Sequence, residues 1–109
     1  MRAIAVICLL LTALQPVFAH PPKSVDVTRS GDKIEVDVLH PVADPKDHYI
    51  NRITVSVNGK PVIEQKFPEQ NAAKQHSYYY VPFLKTGDKI NVTAFCNKFG
   101  DLSREITVK

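Results

Sequence analysis

An all-β, antiparallel sandwich of about seven strands is the fold this sequence predicts, and three observations predict it. Short segments alternate apolar and polar residues with a period of two. Glycine-bearing turns punctuate them. No stretch of ten or more residues carries a helical period of 3.6. The elements follow in order. Ser24–Arg29 (SVDVTR) and Lys33–His40 (KIEVDVLH) alternate on either side of the turn SGD. Ile50–Val57 (INRITVSV) sets Ile53, Val55 and Val57 on one face. Asn58-Gly59 then predicts a type I′ hairpin, because both central residues of that turn need positive φ. PVIEQKF is the return strand. Ser77–Leu84 (SYYYVPFL) is the next, followed by the turn KTGD. Three consecutive tyrosines cannot all face inward on a strand, so at least one of Tyr78, Tyr79 and Tyr80 is expected in solvent. Lys89–Cys96 (KINVTAFC) alternates through Ile90, Val92 and Ala94, and LSREITVK closes the chain. Two stretches are irregular. HPVADPKDH (His40–His48) is rich in proline and charge, and PEQNAAKQH (Pro68–His76) reads as a flexible polar loop that leaves His76 solvated. Seven strands in so short a chain match an immunoglobulin-like sandwich in size.

The N-terminus predicts export. Arg2 opens a segment with an apolar run from Ala3 to Leu14 and small residues before a cleavage point after Ala19. The run falls short of the about 20 residues a membrane-spanning helix needs. Residues 1–19 are therefore expected to be a signal peptide, and 20–109 a single domain that is periplasmic or secreted, with no membrane association once the signal is removed. Cys8 leaves with the signal, and its neighbours do not form a lipidation motif. Of 14 basic residues the mature chain loses only Arg2, keeping 13 against 11 acidic ones, so its net charge is about +2. No basic cluster interleaves with the tyrosines, and nucleic-acid binding is not expected.

One cysteine, Cys96, remains in the mature chain, so no internal disulfide can form. In an oxidising compartment such a thiol must be buried, joined to another chain or bound to metal. Four histidines accompany it: His20, His40, His48 and His76. His40 ends one strand, His48 begins the next, and Cys96 ends a late strand. Imidazole with thiolate suits iron, copper or zinc. The plainer reading makes His40 and His48 solvated loop residues and Cys96 a small buried hydrophobe. No Ser-His-Asp order, glycine-rich phosphate loop or paired-carboxylate spacing stands out.

LHPVADPKDHYINRITVSVNGK, followed by VTAFCNKFGD, resembles the iron-binding domain of desulfoferrodoxin and neelaredoxin, the superoxide reductases. The resemblance covers nearly all of the mature chain. It implies an immunoglobulin-like sandwich and a mononuclear, non-haem iron held by histidines and an axial cysteine. By that resemblance His40 matches the histidine of the family's His-Pro pair, and His48 that of its His-Tyr-Ile, in a loop two residues longer than usual. Cys96 matches the axial thiolate. His20, twenty residues before His40 and followed by Pro22 in the spacing His-x-Pro, matches the first ligand. The implied metal ligands are thus His20, His40, His48 and Cys96. Two positions depart from the family pattern. Phe99 stands in CNKFG where a fourth histidine belongs, and Ala19 stands where a lysine precedes the first ligand. Three imidazoles in place of four predict weaker iron affinity, a degenerate site, and room for another ligand or metal. The implied reaction is one-electron reduction of superoxide, fed by an external electron-donor protein because the chain has no second redox centre.

HYINRITVSVNGKPV, TGDKINVT and NKFGDLSREITV are also similar to the Z subunit of the thiosulfate-oxidising carrier complex. That resemblance implies a metal-free periplasmic module that works through a sulfur-oxidation partner; whether the chain forms a homo-oligomer is left open by the sequence. A third reading follows from cleavage after Ala19. His20 would then be N-terminal, and its free amine and ring nitrogen would form a copper-chelating brace completed by His40 or His48.

Overall fold

The computed structural model of the protein describes residues 20–109, and the predicted signal peptide lies outside them. Seven strands form in chain order: β1 Ser24–Ser30, β2 Lys33–Leu39, β3 Ile50–Val57, β4 Lys60–Lys66, β5 Lys74–Tyr80, β6 Lys89–Cys96 and β7 Asp101–Thr107. They build two sheets, β1-β2-β5 and β4-β3-β6-β7, in which every pairing is antiparallel. The all-β sandwich expected from the alternation is the observed fold.

Alternation decides which residues fill the space between the sheets. Ile34, Val36 and Val38 from β2 meet Ile53 and Val55 from β3 and Ile90, Val92 and Ala94 from β6, all fully buried. Each is β-branched except Ala94, which suits a pleated surface packed on one face. The Asn58-Gly59 turn has φ of 51° and 84°, both positive as the dipeptide requires. Asn58 also ties this turn to the start of β6, donating from Nδ2 to Asp88 Oδ1 at 3.0 Å and accepting from the Lys89 N–H at 2.9 Å.

The region around β5 departs from the sequence reading. The strand starts at Lys74 instead of Ser77 and stops at Tyr80, with Phe83 in the left-handed region at φ 65°. Its inner face carries Gln75, Ser77 and Tyr79, so the polar residues hid a strand that backbone pairing with β2 defines. His76 therefore lies on a strand and not in a loop. Tyr78 and Tyr80 point outward and are exposed, while Tyr79 is buried. The segment before β5 is anchored and not free. Gln70 is only 2 % exposed, and its side chain is held by the backbone of His40, Ile50 and Ala72.

Candidate metal centre

Strand register brings the four predicted ligands to one end of the sandwich. In the β1–β2 hairpin Ser24 sits opposite Leu39, so the chain entering β1 and the chain leaving β2 lie side by side. The Lys23 N–H donates to the Leu39 carbonyl at 2.8 Å and fixes that approach. His20 and His40 are its continuations. In the other sheet Ile50 sits opposite Cys96, with a bulge immediately after, so the start of β3 and the end of β6 coincide. His48 precedes β3 by one turn. Asp44 builds that turn: its carbonyl accepts from the N–H groups of Asp47 and His48, and its carboxylate accepts from Lys46 N–H at 3.0 Å.

The three imidazoles form a nearly equilateral triangle, with ring centroids 4.9 Å apart for His20–His40 and for His20–His48 and 4.8 Å for His40–His48. One ligating atom from each lies within 4.8 Å of the others. Cys96 Sγ sits 3.2 Å from His48 Nε2. His40, His48 and Cys96 are buried, and His20 is half-buried at the rim. Phe99 is 61 % exposed, so no phenyl ring occupies the place of a fourth imidazole.

Ring nitrogens are assigned by their partners. Gln70 Nε2 donates to the carbonyls of His40 at 2.6 Å and Ala72 at 2.7 Å, which fixes which end of the amide is oxygen. Gln70 Oε1 then accepts from Ile50 N–H at 3.0 Å and from His40 Nδ1–H at 2.9 Å. That leaves His40 Nε2 without a proton, 3.4 Å from the His20 carbonyl, as the atom able to ligate a metal. His20 Nδ1–H donates to the Pro21 carbonyl at 2.9 Å, which frees Nε2 there too. Asn97 holds the backbone around His48 and not its ring. Its Oδ1 accepts from Tyr49 N–H at 2.8 Å, its Nδ2 donates to the Asp47 carbonyl at 2.9 Å, and its own N–H donates to the Tyr49 carbonyl at 3.0 Å. The backbone on both sides of His48 is thereby locked to the residue after Cys96. The thiol is held by the turn that follows it: Cys96 N–H donates to the Gly100 carbonyl at 3.0 Å, and Lys98 N–H donates to Sγ at 3.3 Å.

Sequence reasoning missed Gln70 and Asn97 as supports. Gln70 gave no signal, because its partners are 20 and 30 residues away. Asn97 offered one, its position beside the lone cysteine. Gln70→Ala is expected to leave two buried N–H groups without acceptors, at about 1–3 kcal/mol each. It should also lower metal affinity about 10–100-fold, as loss of an outer partner of a ligating histidine does. Urea unfolding of metal-free protein and a competitive chelator titration measure the two effects separately.

Burial, followed by repulsion from His40, His20 and Lys98, lowers the pKa of His48 below its ordinary value of 6.5, against an opposing pull from Asp47. Neutral imidazole is the form that ligates a metal. In metal-free protein the unfolded chain takes up this proton at a higher pH than the folded chain. Stability is therefore fully retained above 6.5 and declines as the pH falls through that value toward the lower folded pKa, below which the loss saturates. Urea midpoints measured from about pH 8 down to about pH 5 should show this decline in the wild type and a flatter profile in His48→Gln.

No family model matches the chain, and no curated protein matches it. Solved structures do. A superoxide reductase (1Fe-SOR) from Giardia intestinalis superposes with a TM-score of 0.63 at 17% identity, covering 83% of this chain and 98% of that one. A superoxide reductase in the oxidised state gives 0.53 at 20% identity, covering 83% and 88%. A variant of the superoxide reductase (neelaredoxin) from Ignicoccus hospitalis gives 0.50 at 15% identity, covering 100% of both. The class these likenesses define is a superoxide reductase-like β-sandwich, here with a histidine cluster able to hold a metal ion.

Proposed function

We propose that the mature chain is an exported, periplasmic or secreted, mononuclear iron protein that reduces superoxide by one electron. The observation that carries this reading is the meeting of three imidazoles, one of which, His48, also touches the buried thiol of Cys96, within a fold shared with superoxide reductases. The donor set fits iron: three neutral nitrogens plus one anionic sulfur give a partly soft environment and leave coordination positions free for an anion. His20, His40 and His48 would supply the nitrogens, and Cys96 the sulfur. Iron held there would supply the one electron that, with two protons, turns superoxide into hydrogen peroxide.

The residues of the chain do the rest. Gln70 and Pro21 hold the ring tautomers that leave Nε2 of His40 and His20 free for the centre. The Lys98 N–H steadies the sulfur by a hydrogen bond. The Lys98 ammonium lies near His48 but is paired with Asp47 at 3.3 Å, so the positive charge it offers an approaching anion is partly offset. Re-reduction falls to an external electron-donor protein.

This arrangement favours iron over the copper brace. A brace uses the Nδ1 of an N-terminal histidine, and His20 Nδ1 is turned to the Pro21 carbonyl. The metal-free carrier reading leaves the meeting of three imidazoles and a thiol without a role. Superoxide decay after pulse radiolysis tests the proposal. Iron-loaded protein should accelerate decay and yield about one peroxide per superoxide consumed, and decay no faster than with metal-free protein would refute the activity.

A further inference from the structure

We propose that Glu35, Asp37 and His76 form a second cation site, on the outer face of the β1-β2-β5 sheet, for a borderline divalent ion such as zinc. Glu35 and Asp37 are two residues apart on β2 and share one face. Asp37 pairs directly with His76 of β5, and Glu35 pairs with Tyr78, which puts it diagonally beside His76. All three side chains meet across one rigid pair of strands. The imidazole bridges the carboxylates, with Nδ1 against Asp37 Oδ1 and Nε2 3.4 Å from Glu35 Oε2. One ligating atom from each lies within 4.8 Å of the others.

Charge points to a cation. Among the described residues neither Glu35 nor Asp37 forms an ion pair with a lysine or arginine. Lys33, the cation on the same strand, places its ammonium 4.7 Å from the Tyr78 ring centre. Two carboxylates thus share one imidazole, and the cluster is anionic even when that imidazole is protonated. A divalent ion displacing the proton neutralises both carboxylates. One nitrogen and two carboxylate oxygens is a zinc-compatible set that leaves the fourth tetrahedral position to water. Zinc bonds of about 2.0–2.2 Å set ligands about 3.4 Å apart, so loading requires the two partly exposed carboxylates, which contact different ring nitrogens, to turn toward one of them. Tyr78 packs edge-on against His76, with ring centroids 4.6 Å apart, and limits the swing of the imidazole. The site would join β5, the edge strand, to β2.

Zinc titration of the full mature chain, followed by amide and imidazole NMR signals, tests the site without reference to the His20, His40, His48 and Cys96 centre. Signals of Glu35, Asp37 and His76 should shift with one zinc equivalent, while those of the other centre report a separate equivalent. Asp37→Asn keeps the side-chain shape and should weaken the shift at His76 at least about tenfold in zinc concentration. His76→Ala should abolish the response of Glu35 and Asp37 and leave the other centre unchanged. Unmoved signals at these three residues under excess zinc would overturn the proposal. So would shifts that survive undiminished in both variants.

Discussion

Cys96→Ser is expected to remove the thiolate-to-iron charge-transfer band of the oxidised protein and to weaken iron binding by more than the about 10–100-fold that loss of an outer partner costs. The reasoning starts from position. Cys96 is 8 % exposed, lies 3.2 Å from a ring nitrogen of His48, and supplies the only anionic atom among the four proposed ligands. Serine preserves the size of the side chain but ionises far less readily, so the centre keeps its nitrogens and loses its charge. The fold should survive. The turn from Cys96 to Gly100 is closed by a backbone hydrogen bond, and Asn97 still clamps Tyr49 and Asp47. The measurement is paired: visible spectra of iron-loaded wild type and variant, with iron content after dialysis against chelator. An unchanged band in the variant would exclude Cys96 as ligand. In the same account bound metal protects the thiol, so alkylation of Cys96 should be slow in loaded protein and faster after chelation.

Gly100→Ala should cost stability and metal affinity together. Gly100 has φ +85°, and a Cβ there would lie 2.8 Å from Pro21 Cβ and 3.3 Å from Pro21 Cα. The left-handed backbone alone costs about 1–3 kcal/mol with a side chain. The contact with Pro21 adds a second effect, because Pro21 is the residue next to His20. Relief of the clash moves the arm that brings His20 to the other two imidazoles. Gly87→Ala separates the two effects. Gly87 has φ +94° with nothing within 4 Å of the added Cβ. The Gly87 variant should lose stability only. The Gly100 variant should also lose metal affinity by at least about tenfold, read by chelator competition. Equal metal affinity in the two variants would detach Gly100 from the site.

Much of the fold was legible because alternation carries its own physical cause. Ile34, Val36 and Val38, or Ile90, Val92 and Ala94, can be buried together only if their strands are extended. Asn58-Gly59 specified its turn by the same directness, since few other pairs accept two positive φ values. The start of β5 was not legible. Lys74, Gln75 and His76 are polar on both faces, and their strand is defined by backbone pairing with β2, which leaves no mark on composition.

At the site, residue types and strand ends pointed to His40, His48 and Cys96, while His20 entered through the resemblance to the superoxide reductases. The register explains why His20 lies with them: Ser24 opposite Leu39 carries both chain ends to one edge. Gln70 and the bridge from His76 to Asp37 and Glu35 were hidden for a common reason. Each joins residues at least 20 positions apart through side chains whose own neighbourhoods read as ordinary polar loop or strand.

Anomalous diffraction at the iron edge, from crystals of the reconstituted mature protein, tests the central claim most directly. One strong peak is expected among the rings of His20, His40 and His48, within bonding distance of Cys96 Sγ. A peak elsewhere, or none in a protein loaded with about one iron per chain, would contradict the assignment of these four residues as the metal centre.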